Sequence, residues 1–374
     1  MNINWNDPNF QGFAGARRRA AKPKKVRKSI GSPLGRTLIN LAVTLVFGLI
    51  YFYAVLPPIS LQAPEFYVFA LLLCAVYCVC AVLTSGFQGE GPKGYFGFVK
   101  KQCRVPFFAA ALLVAVALIG AVLGWKVLRA GAYRDLLTVE TGSFADEVDE
   151  ISFDQIPMLD RDSATRLGNR KLGELADMVS QFEVADDYTQ INYKNRPVRV
   201  TPLRYGDWIK WFNNRKTGLP AYLVIDMVTQ NVDVVRLEQG IRYTTAEHFG
   251  RNLGRYLRFH YPTYLFDDPA FEIDEQGNPW WVCPRMKKTI GLFGGTDTVG
   301  AVLVNAVTGE CSYYDVADVP SWVDHVYPAE LITQQYDYHG TYIHGFINSL
   351  FGQRDVTVTT QGYNYLAIGD DVYM

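Results

Sequence analysis

Three stretches of this sequence contain no Asp, Glu, Lys, Arg or His: Leu38–Leu56 (LINLAVTLVFGLIYFYAVL), Phe66–Leu83 (FYVFALLLCAVYCVCAVL) and Pro106–Gly124 (PFFAAALLVAVALIGAVLG). Helices in a soluble core seldom stay uncharged for so long. Each run is also near the ~20 residues that cross ~30 Å of hydrocarbon. Three transmembrane helices are predicted. Their lack of charge counts against ion or solute coupling, which normally needs polar groups inside the membrane.

Net charge is lacking as well: 36 Lys and Arg face 37 Asp and Glu. No strong basic field points to nucleic acid. Histidine is scarce, with only His248, His260, His325, His339 and His344. His339 and His344 are wrongly spaced for one helix face, and no Cys or carboxylate pattern of a zinc site accompanies them. There is no Gly-x-Ser-x-Gly elbow for a serine hydrolase. The glycine-rich "IGLFGGTDTVGAVLV" lacks both the Gly-Lys-Ser/Thr ending and the following helix of a phosphate loop, and reads as a flexible hairpin loop. The acidic run Ala145–Gln155 lacks the glycine and alternating ligands of a calcium loop and reads as a solvated stalk. No catalytic residue, cofactor or metal site is assigned from the sequence.

The basic residues that are present are unevenly placed. Arg17, Arg18, Arg19, Lys22, Lys24, Lys25, Arg27, Lys28 and Arg36 precede the first apolar run, against the single acid Asp7. Lys93, Lys100, Lys101 and Arg104 lie between the second and third runs, whereas the first loop, PPISLQAPE, has no Lys or Arg. Positive-inside bias then puts the N-terminus in the cytoplasm and everything after about residue 125 outside, although Lys126, Arg129 and Arg134 pull the other way. Paired arginines in "GARRRAAKPKK" suggest a twin-arginine signal, but they lie far from the apolar run and no cleavage site follows it. A basic cytoplasmic anchor is the better reading. Cys74, Cys78 and Cys80 fall in the second run and Cys103 at the edge of the third. Cys283 and Cys311 fall in the outer part, where a disulfide is chemically possible if their strands are neighbours and their Cα atoms come within ~7 Å. The reading leans to two free buried thiols, since a buried Cys is an ordinary small core residue, and leaves the bridge open.

From about residue 161 the sequence repeats itself. "INYKNRPVRVTP" (Ile191–Pro202) aligns without gaps on "IDEQGNPWWVCP" (Ile273–Pro284), an offset of 273 − 191 = 82. "AYLVIDMVTQNVDVV" from Ala221 aligns on "GAVLVNAVTGECSYY" from Gly300 at 300 − 221 = 79, setting Asp226 over Asn305 and Cys311 over Val232. Helical stretches Asp162–Phe182 and Thr244–Tyr261 precede the two copies, with Asp162 or Ser163 and Thr244 or Thr245 as expected N-caps and Glu247 completing a capping box. Both carry Leu-Gly or Phe-Gly pairs, at Gly168 and Gly173 and at Gly250 and Gly254. The reading is a duplicated α-β-β-β module. A third copy begins at Ala329 with a helix and a hairpin turning near Gln361-Gly362, and it stops before a closing hairpin, which leaves open a continuation beyond Met374.

"VLVNAVTGE" (Val302–Glu310) and "LVIDMVTQN" (Leu223–Asn231) resemble the closing hairpin of PepSY-type domains. That resemblance implies a helix on a small antiparallel sheet, an extracytoplasmic setting, protease binding or inhibition, and no catalytic residues. The first copy departs from the pattern with Gln230-Asn231 in place of Gly309-Glu310.

The expected architecture is α+β: three N-terminal transmembrane helices followed by tandem helix-plus-antiparallel-sheet modules. Its parts are a basic N-terminus (1–37), a membrane region (38–124), a stalk (125–160), modules at 161–240 and 241–320, and an incomplete third at 321–374. Gly120 and Gly124 form a small-xxx-small patch, a candidate face for a homo-oligomer in the bilayer. Trp208, Trp211, Trp280, Trp281, Trp322 and Tyr327 are the candidate partner-binding residues. Adjacent Trp280 and Trp281 must face opposite sides of a strand, so one leaves its own module's core. The functional expectation is a non-enzymatic, membrane-anchored protein binding a protein, peptide or wall component on its outer face. The rival is an envelope enzyme or transporter-associated subunit whose site is assembled from scattered residues or lies past the C-terminus.

Overall fold

The computed structural model describes residues 32–85, 101–143 and 156–360, the single positions 94, 97 and 362, and the segments 366–368 and 371–373. The basic leader through residue 31, most of the second loop and the acidic run lie outside these residues. The fold is α+β.

Three helices are long and apolar enough to cross a membrane: α1 (Pro33–Val55), α2 (Pro64–Ser85) and α3 (Arg104–Leu123). Ser32 starts α1 by accepting a hydrogen bond from Gly35 N at 3.2 Å, with proline as the first helical residue. At the other end Leu56 turns left-handed before Pro57 and Pro58, which cannot continue a helix. A polar residue in such a span needs a partner, and Asn40 has one: Thr84 Oγ1 of α2 donates to Asn40 Oδ1 at 3.0 Å.

A short helix α4 (Lys126–Arg134) follows α3 after Trp125, tied back by Tyr133 Oη donating to Gly124 O at 2.7 Å. Helix α5 (Arg161–Gly173) then leads into strands β1 (Phe182–Val184), β2 (Thr189–Asn192), β3 (Pro197–Tyr205), β4 (Leu219–Asp226) and β5 (Val232–Ile241), with α6 (Trp208–Asn214) between β3 and β4. Helix α7 (Leu253–His260) leads into β6 (Leu265–Phe266), β7 (Ala270–Ile273), β8 (Pro279–Ile290), β9 (Gly294–Asn305) and β10 (Cys311–Asp315). Helix α8 (Ala329–Thr341) packs back on α4, Tyr338 meeting Tyr133 edge-on at 5.2 Å.

The two five-stranded sheets share one connectivity. The first runs β1-β3-β4-β5 with β2 also on β3; the second runs β6-β8-β9-β10 with β7 also on β8. All these pairs are antiparallel. Cross-strand pairs correspond as well: Val198 opposes Asp226 and Trp280 opposes Asn305, while Val232 opposes Ile225 and Cys311 opposes Val304. Each sheet thus holds five strands rather than three, because short strands before β3 and β8 add to the edge. At the hairpin turns Asp226 Oδ1 accepts from Val228 N and Thr229 N at 2.9 and 2.7 Å, and Asn305 Oδ1 accepts from Val307 N and Thr308 N at 3.0 and 2.9 Å. A short side-chain oxygen there supplies the turn's missing acceptor.

One core serves both sheets. Val200, Leu223 and Ile225 of the first join Phe271, Trp281 and Val302 of the second, with Ala164 and Leu172 of α5 and Leu253 and Leu257 of α7. Fully burying one such leucine is worth roughly 1.5–3 kcal/mol.

The helix boundaries differ from the sequence expectation. Helix α5 stops at Gly173, and its N-cap is Asp160, which accepts from Ser163 N at 2.7 Å. Helix α7 starts only at Leu253, capped by Asn252, while Thr244 is buried and bridged to Asn252. Glu247 completes no capping box because its carboxylate is used inside the protein. Of the four glycines shared between the helical stretches only Gly168 is needed for contact: a side chain there would collide with the Tyr188 hydroxyl, and the nearest approach at Gly254 is 3.7 Å, ordinary contact, with none within 4 Å at Gly173 or Gly250. The third hairpin lies later than expected, pairing β11 (Leu366–Ile368) with β12 (Asp371–Tyr373), and residues 356–360 form no strand.

The glycine-rich loop is instead a long β8–β9 hairpin whose turn, Gly291–Phe293, reaches the membrane helices. Leu292 N approaches Gly120 O at 3.5 Å, and a side chain on Gly120 would collide with Leu292. The Gly120–Gly124 patch, the candidate face for self-association, is therefore covered from within the chain. Cys283 and Cys311 are free thiols, the first buried as expected and the second only half-buried. Strand β9 lies between their strands, so the backbones are two strand spacings apart, roughly 9–10 Å, which exceeds bridging range.

Candidate functional site

Strand β7, Ala-Phe-Glu-Ile, alternates its side chains. Phe271 and Ile273 enter the shared core, and Glu272 turns to the opposite side, where it is fully buried. A buried carboxylate needs donors. The loop after β10 supplies them: Asp324 N and His325 N each donate at 3.0 Å, and His325 Nδ1 lies 3.2 Å from Glu272 Oε1. That contact places the imidazole proton on Nδ1. Asp324 Oδ2 in turn accepts from Asn192 N of β2 at 2.6 Å, tying the loop to the first sheet.

Burial, then the charge of Glu272, pushes the Asp324 carboxyl up to about 7, against the pull of the Asn192 N–H and His325. Burial disfavours charge on His325, but the Glu272 hydrogen bond and charge outweigh it and raise the imidazole above its ordinary value. Asp324 and His325 therefore both hold their protons more readily than in water.

The cluster also divides two cavities. His325 lines one of about 690 Å³ between the sheets, together with Arg161, Asp187, Tyr188, Arg199, Thr245 and Asp268. Asp324 lines another of about 400 Å³ with Asn192, Tyr193, Ile273 and Trp322. In the larger cavity burial and the neighbouring Arg161 charge press Arg199 below the usual guanidinium range. Arg161 and Arg199 share this polar hollow with Asp187 and Asp268, so it offers both charge signs to a ligand. Among the described residues no group of three or more His, Cys, Asp or Glu side chains is arranged to hold a metal ion.

The structure separates the aromatic candidates. Trp280 and Trp322 meet at 5.8 Å beside the smaller cavity, with Trp280 Nε1 donating to Asp274 Oδ2 at 3.1 Å. Trp281 is wholly within the core, donating to Tyr243 O at 2.9 Å. Tyr327 is exposed and apart from these. Trp208 and Trp211 pair at 4.5 Å on α6, and there Trp211 Nε1 and Tyr205 Oη donate to the two oxygens of buried Glu247 at 2.8 and 2.7 Å.

Glu272, Asp324, Arg161 and Arg199 were not singled out by the sequence. The available signal was weak: Glu272 is an acid at a strand position flanked by apolar residues, and its partners lie more than fifty positions away. No family model, curated protein or solved structure matches the chain.

Proposed function

We propose that this protein is a membrane-anchored, extracytoplasmic binding protein, and that the cavity between its sheets takes a carboxylate-bearing ligand such as an extended peptide. The observation that carries this reading is a polar cavity of about 690 Å³ lined by Arg161 and Arg199, which suit a carboxylate, and by Asp187 and Asp268, which suit the ammonium group of the same peptide. The matched strand connectivity of the two sheets supports a duplicated module. Together with the Asx-type hairpin turns it is in keeping with PepSY-like repeats, which are associated with binding or inhibiting proteases outside the cytoplasm. The basic leader favours a cytoplasmic N-terminus. Contacts between the first loop and the globular part, such as Ile59 N to Pro262 O at 2.7 Å, favour a common side for both.

Screening short peptides with free C-terminal carboxylates against the full chain in detergent tests the reading. Wild type should enrich a set that an Arg161→Ala/Arg199→Ala variant does not. Equal enrichment by both would sink it. Orientation is checked separately by cysteine accessibility, with Ser60→Cys expected to label in intact cells.

The His325–Glu272 pair favours a second reading, an enzyme in which this imidazole moves a proton on the bound ligand. Turnover of an enriched peptide that His325→Gln abolishes, without loss of binding, would support it.

A further inference from the structure

Exposed apolar surface on the globular part gathers at two places, one at Ile347, Leu350 and Phe351 and the other at α6 and the turn before α7. Trp208, Ile209, Phe212 and Phe249 are 52, 70, 51 and 55% exposed. Trp208 and Phe249 approach ring to ring at 6.0 Å, so the patch is continuous across two chain segments. Contiguous apolar surface of this kind marks a contact rather than a solvated face.

Beside it lies a cleft of about 310 Å³ lined by Trp211, Arg215, Lys216, His248 and Arg251, with Glu247 as its one carboxylate. That carboxylate is already taken by Tyr205 and Trp211. The nearby acid Asp207 caps Lys210 N at 2.9 Å and pairs with Lys210 Nζ at 3.4 Å. Arg215 lies 3.9 Å over the Phe212 ring, and Arg251 Nη1 donates to Arg215 O at 2.8 Å. Arg215, Lys216 and Arg251 thus give the cleft a positive balance beside an aromatic rim.

The location decides the occupant. Arg255 Nη1 donates to Phe249 O at 2.8 Å, and its Nε reaches Tyr53 O at 3.3 Å, with the guanidinium 4.3 Å over the Tyr53 ring. Tyr53 belongs to the last turn of α1, which ends at Val55. One residue therefore connects the patch to the end of a membrane-crossing helix, the level at which aromatic and cationic side chains meet headgroups. Phe259 continues this contact, meeting Phe52 edge-on at 5.5 Å.

We propose that α6 and the turn before α7 rest on the bilayer. Trp208, Ile209, Phe212 and Phe249 enter the boundary between headgroups and acyl chains, and Arg215, Lys216 and Arg251 hold the phosphate of an anionic phospholipid in the cleft. Lipid is assigned, rather than a protein partner, because the patch is continuous with α1 and combines an aromatic rim with cations.

The test uses the full chain in nanodiscs of equal phosphatidylcholine and phosphatidylglycerol. A photocrosslinking phenylalanine replaces Trp208, Phe212 or Phe249, one at a time, and Thr229 as a control at the opposite end of β4 from α6. Each of the three test positions is at least half exposed, so a variant that fails to fold leaves the other two informative. Irradiation should add lipid mass at the three test positions and not at Thr229. Phosphatidylglycerol adducts should exceed phosphatidylcholine adducts by about fivefold for each basic residue engaged. An Arg215→Ala/Lys216→Ala/Arg251→Ala variant should return that ratio to the bilayer's own. Absence of lipid adducts, equal labelling at Thr229, or crosslinks to a second copy of the chain would overturn the bilayer contact. Lipid adducts in the bulk ratio with wild-type cations would overturn the phosphate site.

Discussion

Gln62 and Lys288, 226 residues apart, exchange two hydrogen bonds: Gln62 Nε2 donates to Lys288 O at 2.7 Å, and Lys288 N donates to Gln62 Oε1 at 3.1 Å. A side-chain amide from the first interhelical loop thus stands where a strand partner would on β8. It satisfies both backbone groups of Lys288 and fixes the second sheet on the helices. Gln62→Ala should cost about 1–3 kcal/mol, the sum of two ordinary hydrogen bonds. Amide exchange should show it locally, with Lys288 N–H losing protection while the β3–β4 amides keep theirs. Unchanged exchange at Lys288 would mean the two parts do not dock this way.

The contact between α3 and the hairpin tip makes a second prediction. Gly120→Ala puts a methyl group into the Leu292 side chain and should destabilise the docked state by about 1–3 kcal/mol. Leu292→Ala removes the obstacle, so the double variant should recover part of the loss in a double-mutant cycle. Because Leu292 covers this face, crosslinked dimers should be no weaker in Gly120→Ala. Dimers lost in that variant would restore self-association through the small-residue patch.

The two hairpin turns carry different residues at the position that turns left-handed. Gln230 and Gly309 both take positive φ, 61° and 80°, and only glycine does so without steric cost. Gln230→Gly should stabilise the protein by about 0.5–1 kcal/mol. Gly309→Ala should be destabilising beyond backbone strain, since its side chain would strike the Tyr243 ring. Reversible denaturant unfolding of the two variants gives the signs directly.

The raised Asp324 carboxyl and His325 imidazole set a pH dependence. Asp324 titrates near 7 in the fold and near the ordinary carboxyl value when unfolded, and His325 is also raised. For both groups the folded state binds protons more readily, so their stabilisation is present at low pH and is lost as pH rises. The contribution of Asp324 falls between about 4 and 7. That of His325 is complete below the ordinary imidazole value and is lost as pH rises through its raised one. The thermal midpoint should therefore drop between pH 5 and 8, and Asp324→Asn should flatten that slope. A midpoint rising over this range would assign the wrong charge state to the cluster.

By itself the sequence determined the features whose physics is local. Three uncharged runs dictate helices of membrane-crossing length, because every backbone polar group in hydrocarbon must be satisfied within its own segment. Alternating Leu223, Ile225 and Val302, Val304 around Asp226 and Asn305 dictate paired hairpins, because side-chain period and turn chemistry are written within a few residues. Tertiary structure alone decided what each remaining polar side chain does. Glu247 looks like a capping residue in sequence, yet folding surrounds it with Tyr205 and Trp211 donors, and Asn252 caps α7 instead. Glu272 finds hydrogen-bond donors only when the loop carrying Asp324 and His325 closes over it. Burial removes these groups from water, and the cost of an unpaired buried charge then selects partners by proximity in space, which spacing along the chain does not encode.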